Sequence, residues 1–451
     1  MRRLSFAFCT FLAYALGAAT SAAAQPQTVV PGAIWNDTDG KLIQAHGGGM
    51  IQVGNTFYWF GEDHTTGLQF KNVPCYASTD LVHWTGRGVV LSGKSQTRTG
   101  DLGPDRVLER PKVLYNAATR NYVMYMHIDS SNYREAKVGV ATSPTVDGAY
   151  TYRGSFRPME HQSRDMTLFQ DKDGAGYLIF EDRASGVRIE QLAPDYLSVS
   201  REVALIPHSY EGPAMLHVGD TYFLLGSRLS GWNANPNSYA TAPTLAGPWS
   251  EWKDVAPPST NTYDSQSAFL LPVHGSKATT YVYIGDRWNN GKDLQNARYI
   301  WMPVTLGDHT MSLAPDDPWT IDTKTGLAAT LPWTPPVAPG AYRLESRRGG
   351  VVESPAKTWE LAPVGRGTYR ITDTVGGKAL DVSGASTTAG APVILYAFGG
   401  GANQLWSFTP ASPGYFYVTN KNSGQRLTRQ AGVLVQRPAD VAADQEWKPA
   451  K

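Results

Sequence analysis

Five copies of one short pattern recur along this chain and restrict the folds that it can adopt. Each copy consists of an apolar strand, a polar turn and an aromatic-rich strand. The copies cover Met50–Glu62, Lys112–His127, Thr167–Glu181, Ala214–Ser227 and Ala268–Asp286. They begin about 50–60 residues apart, which is the spacing of β-propeller blades. We therefore predict an all-β chain whose first part is a five-bladed β-propeller.

One polar residue stands two to four positions ahead of each copy. These residues are His46, Glu109, Asp165, Glu211 and Gln266. Because the innermost strand of every propeller blade starts near the central axis, we expect their side chains to converge on one pocket. Such convergence can build an active site in a chain that has no local catalytic motif.

Length and charge limit the remaining possibilities. At 451 residues the chain is too long for one ordinary domain, so two domains are expected. Its 40 Lys and Arg residues balance 39 Asp and Glu residues, which leaves no basic field, and nucleic acid is not an expected partner. Nothing in the composition indicates an oligomer, and we expect a monomer.

Residues 1–24 have the features of a secretory signal peptide. Arg2 and Arg3 supply the positive end, an apolar run follows from Leu4, and Ser21–Ala24 offers a small-residue cleavage site. The apolar run is shorter than the ~20 residues that a membrane span needs. We therefore expect a secreted protein, periplasmic or extracellular, without a membrane partner.

A proline-rich linker, residues 331–340, divides the chain. Such a stretch cannot hold a β-ladder and behaves as a stiff spacer. It separates the predicted propeller, residues 25–330, from residues 341–451. Three Trp-bearing units follow the linker, at Trp359, Trp406 and Trp447. Three units predict a small β-trefoil-like domain in which each Trp closes one lobe of a shared core.

The trefoil prediction is strengthened by the sequences that lead into two of these Trp residues, Gln404–Trp406 and Gln445–Trp447. They resemble the ricin-type lectin family, whose repeats end in Gln-x-Trp, and the middle lobe is the fullest match. The resemblance implies a carbohydrate-binding site in that lobe. Its residues would be Asp381, Tyr396 and Asn403.

Two glutamates stand in twin settings ahead of predicted inner strands, in Glu109-Arg110-Pro111 and Glu211-Gly212-Pro213. Proline fits a strand entrance because it lacks an N–H donor and fixes φ. Glycoside hydrolysis with inversion needs a carboxylic acid to protonate the leaving oxygen and a base to activate water, roughly 6.5–9.5 Å apart. Opposite blades can span that distance across a propeller axis. Both glutamates are therefore candidate catalytic residues.

Further motifs accompany the five copies. They are Trp35–Gly40, Gln44–Gly49, Phe57–Glu62, Glu109–Lys112, Ser130–Tyr133, Ser163–Asp165, Ser230–Pro236, Tyr263–Gln266 and Gly285–Trp288. Together they resemble the exo-β-1,3-galactanase branch of family 43 glycoside hydrolases. The resemblance implies a five-bladed propeller that releases galactose from the non-reducing end of β-1,3-galactan, the backbone of arabinogalactan, with inversion. A C-terminal sugar-binding module is usual in that branch.

The same resemblance implies catalytic roles. Glu211 matches the general acid, a task that requires a raised pKa. Glu109 matches a carboxylate near the reaction centre that tunes this pKa or holds the substrate. The first copy offers no Asp base, and Gln266 is the residue implied to position or activate water. Because an amide is a very weak base, Asp264 and Glu109 remain alternative bases.

Five further residues are predicted to bind the substrate. Asp165 would bind sugar hydroxyls or steady the general acid, and Glu62 resembles a hydroxyl ligand for galactose. Tyr133 and Trp232 lie on loops where a ring could stack on the pyranose or simply pack. His46 stands before three glycines, which permit close backbone approach, and would bind a hydroxyl or fill the axis.

No cofactor is expected, since no spaced set of His and Cys residues indicates zinc. The resemblance allows a structural calcium ion near the axis. Two other functions stay open: a family 43 hydrolase of other specificity (α-L-arabinofuranosidase or β-galactofuranosidase), and a non-catalytic glycan-binding protein. The missing Asp base suggests the second.

Overall fold

The computed structural model describes residues 27–93, 100–332, 334–350, 352, 357–365, 367–411, 413–438 and 443–451. The predicted signal peptide, residues 1–24, lies outside these ranges. No helix in the described ranges is long and apolar enough to cross a membrane.

The described residues form an all-β structure, with helical geometry only in single turns. Before the linker the strands are β1 (Gln27–Val29), β2 (His46–Val53), β3 (Thr56–Glu62), β4 (Asn72–Ser78), β5 (Thr85–Ser92), β6 (Arg106–Asn116), β7 (Asn121–Ser130), β8 (Lys137–Ser143), β9 (Thr151–Phe156), β10 (Met166–Gln170), β11 (Gly176–Asp182), β12 (Gly186–Leu192), β13 (Val199–Pro207), β14 (Glu211–Val218), β15 (Thr221–Ser227), β16 (Asn237–Ala242), β17 (Lys253–Asp254), β18 (Gln266–His274), β19 (Thr279–Arg287), β20 (Arg298–Gly307), β21 (Thr310–Leu313), β22 (Trp319–Asp322) and β23 (Leu327–Thr330). The helical turns of this part are Pro158–Glu160, Pro258–Thr260, Asn261–Asp264, Asn289–Gly291 and Leu294–Asn296.

Strands β2 to β21 form five four-stranded antiparallel sheets in which consecutive strands pair. The first strand of each sheet contacts the first strand of the next, in the closed cycle β2, β6, β10, β14, β18 and back to β2. These strands therefore surround a common axis. The hairpin of first and second strands in each sheet corresponds to one copy of the sequence repeat.

The prediction of five blades is wrong in count, because the propeller-like part of the described chain has six sheets, of which five supply the strands of the closed cycle and the sixth is added to them. The sixth is three-stranded and consists of β1, β22 and β23. Strand β1 pairs with β22 and so joins the two ends of the region. This sheet escaped prediction because its strands carry no copy of the repeat, and because β1 lies at the opposite end of the region from β22 and β23 in the chain.

Buried aromatic side chains close the ring where its ends meet. Trp59, Trp301 and Trp319 lie in one core cluster that includes residues of the first, fifth and sixth sheets. The indole N–H of Trp319 donates to the carbonyl of Trp301 at 2.9 Å. Burying a large apolar side chain stabilises a fold by about 1.5–3 kcal/mol, so this cluster is a main contributor to closure.

A β-bulge marks the axial end of four of the five inner strands. The register between first and second strands shifts next to His46, Glu109, Glu211 and Ser267. A bulge bends its strand and re-aims the neighbouring side chain. The bulges therefore explain how polar residues that begin regular strands turn toward the axis.

The residue after three of these positions has a left-handed backbone, with φ of 57° at Gly47, Arg110 and Gly212. At the two glycines the crowding also excludes a side chain. A Cβ at Gly47 would lie 2.1 Å from Oε1 of Glu62, and one at Gly212 would lie 2.2 Å from the carbonyl oxygen of Ser267. Gly212 therefore permits the close approach of neighbouring inner strands beside Glu211.

The C-terminal part forms one continuous sheet system. Its strands are β24 (Gly340–Ser346), β25 (Trp359–Gly365), β26 (Thr368–Asp373), β27 (Ala379–Val382), β28 (Val393–Tyr396), β29 (Leu405–Pro410), β30 (Phe416–Asn420), β31 (Arg426–Gln430), β32 (Val433–Arg437) and β33 (Glu446–Ala450). Helical turns lie at Ser383–Ala385, Ala402–Gln404 and Ala443–Gln445.

The three Trp residues of this part are fully buried in one core, as the repeat predicted. Each indole N–H donates to a backbone carbonyl. The bonds run from Trp359 to Val352, from Trp406 to Leu380 and from Trp447 to Leu427, at 3.0, 2.9 and 2.8 Å. The repeated bond is the structural basis of a trefoil-like threefold arrangement.

Candidate active site

A cavity of about 220 Å³ lies where the inner strands meet. Its lining is almost entirely polar or aromatic: Glu62, Glu109, Arg110, His127, Tyr133, Arg164, Asp165, Glu181, Arg183, Glu211, Gly231, Trp232, Gln266 and Trp288. Seven of the eight catalytic and substrate-binding residues predicted from sequence line it. The expected convergence of residues far apart in the chain is therefore present in the structure.

Arg110 lies at the centre of this cavity's hydrogen-bond network. Its guanidinium donates to Oε1 of Gln266 at 2.6 Å and to the carbonyl of Ser267 at 3.0 Å, and it pairs with Asp165 at 2.7 Å. Burial acts to lower the pKa of this buried group, but the nearby carboxylates, first Asp165 and then Glu62, raise it overall. A permanent positive charge therefore joins the inner strands β6 and β18 to the residue that precedes β10.

The backbone of Arg110 is left-handed, which costs a non-glycine residue roughly 1–2 kcal/mol. The equivalent residues after His46 and Glu211 are glycines. The side-chain contacts of Arg110 explain why a strained arginine occupies this position, since hydrogen bonds to a charged group contribute about 1.5–3 kcal/mol each.

Glu211 has the environment that a general acid requires. Its Oε1 accepts a hydrogen bond from Arg183 at 2.7 Å, and its Oε2 accepts one from Nε2 of Gln266 at 3.2 Å. Burial, followed by the negative charges of Asp165 and Glu181, raises the pKa of Glu211 to about 8, although Arg183 opposes this rise. The carboxyl group is thus largely protonated at neutral pH and can donate a proton.

The side-chain amide of Gln266 is held on both sides. Its oxygen accepts hydrogen bonds from Arg110 and from the indole N–H of Trp288, the latter at 2.8 Å. Its nitrogen donates to Glu211 and to Oγ of Ser227 at 2.8 Å. Because two donors face the oxygen, the amide has one orientation and its nitrogen is directed toward Glu211.

Glu109 belongs to a second network on the cavity wall. Its Oε1 accepts the hydroxyl hydrogen of Tyr133 at 2.6 Å, and its Oε2 is hydrogen-bonded to His127 at 2.9 Å. The other ring nitrogen of His127 contacts Asp129 at 3.1 Å. Burial disfavours the imidazolium, but bonds to Asp129 and Glu109 prevail and raise the pKa of His127 to about 9. Glu109 is therefore an acceptor between two donors.

Asp165 and Glu62 also accept hydrogen bonds that fix them at the cavity. Besides Arg110, Asp165 accepts the backbone N–H of Gly212 at 2.8 Å. Burial acts to raise the pKa of Asp165, but Arg110 and then His127 lower it overall. Glu62 accepts the N–H of Arg110 at 2.9 Å and contacts His64 at 2.7 Å. Asp165 therefore shapes the cavity as an anion, in contrast to Glu211.

Two indole rings form the apolar part of the wall. Trp232 is half-buried and meets Trp288 edge to face, with ring centroids 5.2 Å apart. A Cβ at Gly291 would lie 2.8 Å from the Trp232 ring, so the left-handed glycine also makes room for it. An aromatic face beside polar groups is the usual composition of a sugar-binding pocket.

Two residues considered from sequence do not line the cavity. His46 is completely buried behind it, where its ring stacks on Tyr299 and its Nδ1 is hydrogen-bonded to Asp286 at 3.2 Å. Asp264, the alternative base, is exposed and lies outside the lining. Of the two alternatives to Gln266, only Glu109 reaches the cavity.

The carboxylates and imidazole at the axis do not fit the calcium ion that the resemblance allowed. Glu109, His127 and Asp165 come close enough to form a metal cluster. However, the two ring nitrogens of His127 lie 2.9 and 3.1 Å from carboxylate oxygens of Glu109 and Asp129, so both are already engaged by protein groups. Arg110, paired with Asp165, supplies positive charge there instead.

Sequence reasoning missed the cavity residues His127 and Glu181 because they end a copy of the repeat instead of preceding it. Glu109 is directly opposite His127, and Gln266 is opposite Asp286. The last residues of the five copies form the equivalent set Glu62, His127, Glu181, Ser227 and Asp286. The last residue of each copy is therefore the sequence position that could have revealed these cavity residues. Arg183 and Trp288 are loop or strand-end residues without a repeat pattern.

The predicted sugar site of the second part is assembled differently. Oδ2 of Asp381 accepts hydrogen bonds from Asn403 at 3.0 Å and from Gln404 at 2.8 Å. Tyr396 lies on the strand paired with that of Asp381, and its side chain is 61% exposed. The three predicted residues thus lie in one lobe, with an aromatic ring open to solvent.

Comparisons with known proteins agree with this architecture. The profile of glycosyl hydrolases family 43 matches residues 46–287, and that of the ricin-type beta-trefoil lectin domain-like family matches residues 355–436. An exo-β-1,3-galactanase from Clostridium thermocellum is 33% identical with a TM-score of 0.65, over 94% of this chain and 99% of that one. No curated protein sequence matches the chain.

Two further structures are similar. A variant of an exo-β-1,3-galactanase from Phanerochaete chrysosporium, solved with β-1,3-galactotriose, is 32% identical with a TM-score of 0.66, over 94% of this chain and 93% of that one. A putative exo-β-1,3-galactanase from Bifidobacterium bifidum s17 is 37% identical with a TM-score of 0.61, over 63% of this chain and 96% of that one. The chain therefore belongs to glycosyl hydrolases family 43 and is a glycoside hydrolase with a ricin-type β-trefoil lectin-like domain at its C-terminus.

Proposed function

We propose that this hydrolase removes galactose from the non-reducing end of β-1,3-galactan, the arabinogalactan backbone, with inversion. The observation that carries the proposal is the axial cavity, in which a carboxyl group of raised pKa faces a fixed amide. The cavity volume of about 220 Å³ is below the ~300–1,000 Å³ of pockets that enclose larger ligands. That volume suits one terminal sugar ring. The galactanases of similar structure support the choice of galactan.

Glu211 is the proposed general acid. It protonates the glycosidic oxygen as the bond to the terminal sugar breaks, and its raised pKa keeps the proton available near neutral pH. Arg183, at 2.7 Å, stabilises the carboxylate that remains after proton transfer. Mobile solvent can restore the proton, because the side chain of Glu211 is 12% exposed.

Gln266 is proposed to position the attacking water once bound substrate separates its amide nitrogen from Glu211, because in the free enzyme Arg110, Trp288, Glu211 and Ser227 occupy every donor and acceptor of that amide. Its oxygen already accepts hydrogen bonds from Arg110 and Trp288, so the amide acts as a fixed contact and not as a strong base. Glu109 is the carboxylate alternative that lines the cavity. The two roles differ in pH dependence: a carboxylate base produces a loss of kcat/KM at low pH, which an amide does not. If Glu109 is the base, Glu109→Gln should remove most of the turnover together with that acidic limb.

Substrate contacts are proposed for the remaining cavity residues. Glu62, Asp165 and Tyr133 present polar atoms to sugar hydroxyls, while Trp232 offers a ring face for the pyranose. His46 is proposed to act from behind the cavity wall by holding Asp286, which in turn accepts the backbone N–H of Gly47 at 3.0 Å.

The lectin-like part is proposed to hold the polysaccharide through Asp381, Asn403 and Tyr396. We further propose that residues 1–24 direct export and that the enzyme acts as a secreted monomer. N-terminal sequencing of exported protein tests the first point, and sedimentation of the purified enzyme tests the second.

The experiment for substrate class is product identification. Purified enzyme is incubated with β-1,3-galactotriose and, in parallel, with defined arabinofuranosyl and galactofuranosyl substrates. We expect galactose and galactobiose from the first and no release from the others. Release of arabinose or galactofuranose alone would overturn the proposed specificity. Binding of galactan without any hydrolysis would favour the non-catalytic alternative.

A further inference from the structure

A second group of ionisable side chains lies in the third sheet, away from the cavity lining. His161 follows the turn Pro158–Glu160, Glu190 lies on β12 and Glu202 on β13. One ligand atom from each of the three side chains comes within 4.8 Å of the other two. We call these residues the outer cluster. None of them lines the axial cavity.

Glu190 is the unusual member of the outer cluster. Its residue is completely buried, yet neither of its carboxylate oxygens has a hydrogen-bond partner among the described residues. An unpaired buried carboxylate is costly, and such groups are normally paired or bound to a metal. Burial, followed by the charge of Glu202, raises the pKa of Glu190 to about 7.

The strand register makes this arrangement still less favourable without a cation. Glu190 lies directly opposite Glu202 on the neighbouring antiparallel strand, beside a shift in register. Like charges directly opposite on paired strands are destabilising. Arg188 pairs with Glu202 and offsets part of this repulsion, and a divalent ion between the two carboxylates would offset the rest.

Arg188 holds one member of the outer cluster, Glu202, and leaves the other two free to bind an ion. Arg188 donates from Nε to Asp182 at 2.8 Å and from Nη1 to Oε2 of Glu202. His161 lies 3.9 Å from Asp182 and 4.0 Å from Glu202, so neither distance is a hydrogen bond. The side chains of His161 and Glu202 are about one-third exposed and give an ion access to Glu190.

We propose that His161, Glu190 and Glu202 form a zinc-binding site with three protein ligands and one coordination position left to water. One imidazole and two carboxylates suit Zn²⁺, whereas Ca²⁺ takes oxygen ligands only. Zn–ligand bonds of about 2.0–2.1 Å place tetrahedral ligand atoms about 3.3 Å apart. The two exposed side chains must therefore move inward, while the buried Glu190 stays in place.

Calorimetric titration of EDTA-dialysed, untagged protein with ZnCl₂ tests the site. We expect one equivalent bound by the wild type, and at least a tenfold loss of affinity in both Glu190→Gln and His161→Ala. Glu190→Gln alters a buried residue and could unfold the protein. His161→Ala alters a partly exposed residue, is expected to leave the fold intact, and so tests the site independently. His83→Ala is the matched control, because His83 also contacts an aspartate, at 2.8 Å, on the surface. Its affinity for zinc should equal that of the wild type.

A thermal readout separates binding at the cluster from adventitious binding. ZnCl₂ should raise the Tm of the wild type and of His83→Ala, but not that of the two cluster variants. Absence of zinc binding by the wild type would overturn the proposal. Unchanged zinc affinity in both cluster variants would do the same. Hydrolysis of galactotriose serves as an independent assay, so a failed zinc site leaves the proposed function unaffected.

Discussion

The axial cavity and the middle lobe of the trefoil-like part are both candidate sugar sites, but they are built on opposite principles. The cavity takes one residue from each of several sheets and buries charges against one another, with Arg110 between Asp165 and Gln266. The lobe takes its residues from two paired strands and one turn, and Tyr396 remains 61% exposed.

This difference reflects the chemistry that each site is proposed to perform. Proton transfer needs a shifted pKa, which requires burial and neighbouring charge, as at Glu211. Sugar binding needs only a hydrogen-bonding pair and an accessible ring, which Asp381 and Tyr396 can supply. The cavity should therefore be sensitive to single substitutions, and the lobe should tolerate them.

The strongest test of this contrast is the substitution Glu211→Gln. It removes the proton donor while keeping the shape of the side chain, and we expect kcat on β-1,3-galactotriose to fall by about 10²–10⁴-fold. Binding of the trisaccharide, measured by calorimetry, should persist. Glu251→Gln is the control, since Glu251 is an exposed glutamate in the same region. A Glu211→Gln enzyme with near wild-type kcat would remove the distinction between the two sites.

The next largest effect is expected for Arg110→Lys. Lysine keeps the charge but cannot reach Asp165, Gln266 and the Ser267 carbonyl together. If lysine keeps only one of these three contacts, the loss of the other two should destabilise the fold by about 3 kcal/mol and lower kcat/KM about 10–100-fold. Thermal unfolding and initial-rate kinetics measure the two effects. Arg87→Lys, which alters an exposed ion pair with Asp147, should leave the Tm and kcat/KM unchanged. Equal effects in the two variants would contradict a central role for Arg110 in the cavity network.

The pH dependence sharpens the comparison further. Because Glu211 must be protonated to act and its pKa is raised to about 8, kcat/KM should fall about tenfold per pH unit above that value. Replacing Arg183 by Gln removes a positive charge that lowers this pKa, so the alkaline limb should move to higher pH. Galactan binding by the lectin-like part should not follow this limb. An alkaline limb unmoved by Arg183→Gln would contradict the assignment.

The smallest effect is expected for Tyr396→Ala. Loss of one exposed stacking ring should weaken retention on polymeric galactan several-fold, by about 1 kcal/mol, with no change in kcat on the trisaccharide. A pull-down on insoluble galactan and the standard assay measure the two quantities. Tyr115→Ala removes an exposed ring from the propeller-like part and is the control. Loss of trisaccharide turnover in Tyr396→Ala would mean that the two regions are not independent.

The sequence repeat predicted the hairpins that carry the cavity, because each copy maintains one local pattern of apolar strand, turn and aromatic strand. It also predicted Glu109, Glu211 and Gln266 at the axis, since each stands two or three residues ahead of its copy. The sixth sheet could not be found this way, because β1 and β22 pair across nearly the whole domain without a shared motif. Pairing between strands so far apart in the chain produces no local sequence pattern that could reveal it.

Individual side-chain contacts could not be predicted from the sequence either. The motif Glu109-Arg110-Pro111 drew attention to its glutamate, but the structure places Arg110 at the centre of the network through a left-handed backbone. The outer cluster gave no spacing pattern either. His161 and Glu190 are brought together by the packing of a turn against a strand, and only three-dimensional proximity reveals them.

The anomeric form of the first galactose released tests the central claim most directly. β-1,3-Galactobiose is mixed with enzyme in D₂O and followed by proton NMR before the product mutarotates. The account predicts that α-galactose is formed first by the wild type and that none is formed by Glu211→Gln on the same timescale. Initial release of β-galactose, or equal release by both enzymes, would contradict an inverting reaction with Glu211 as its acid.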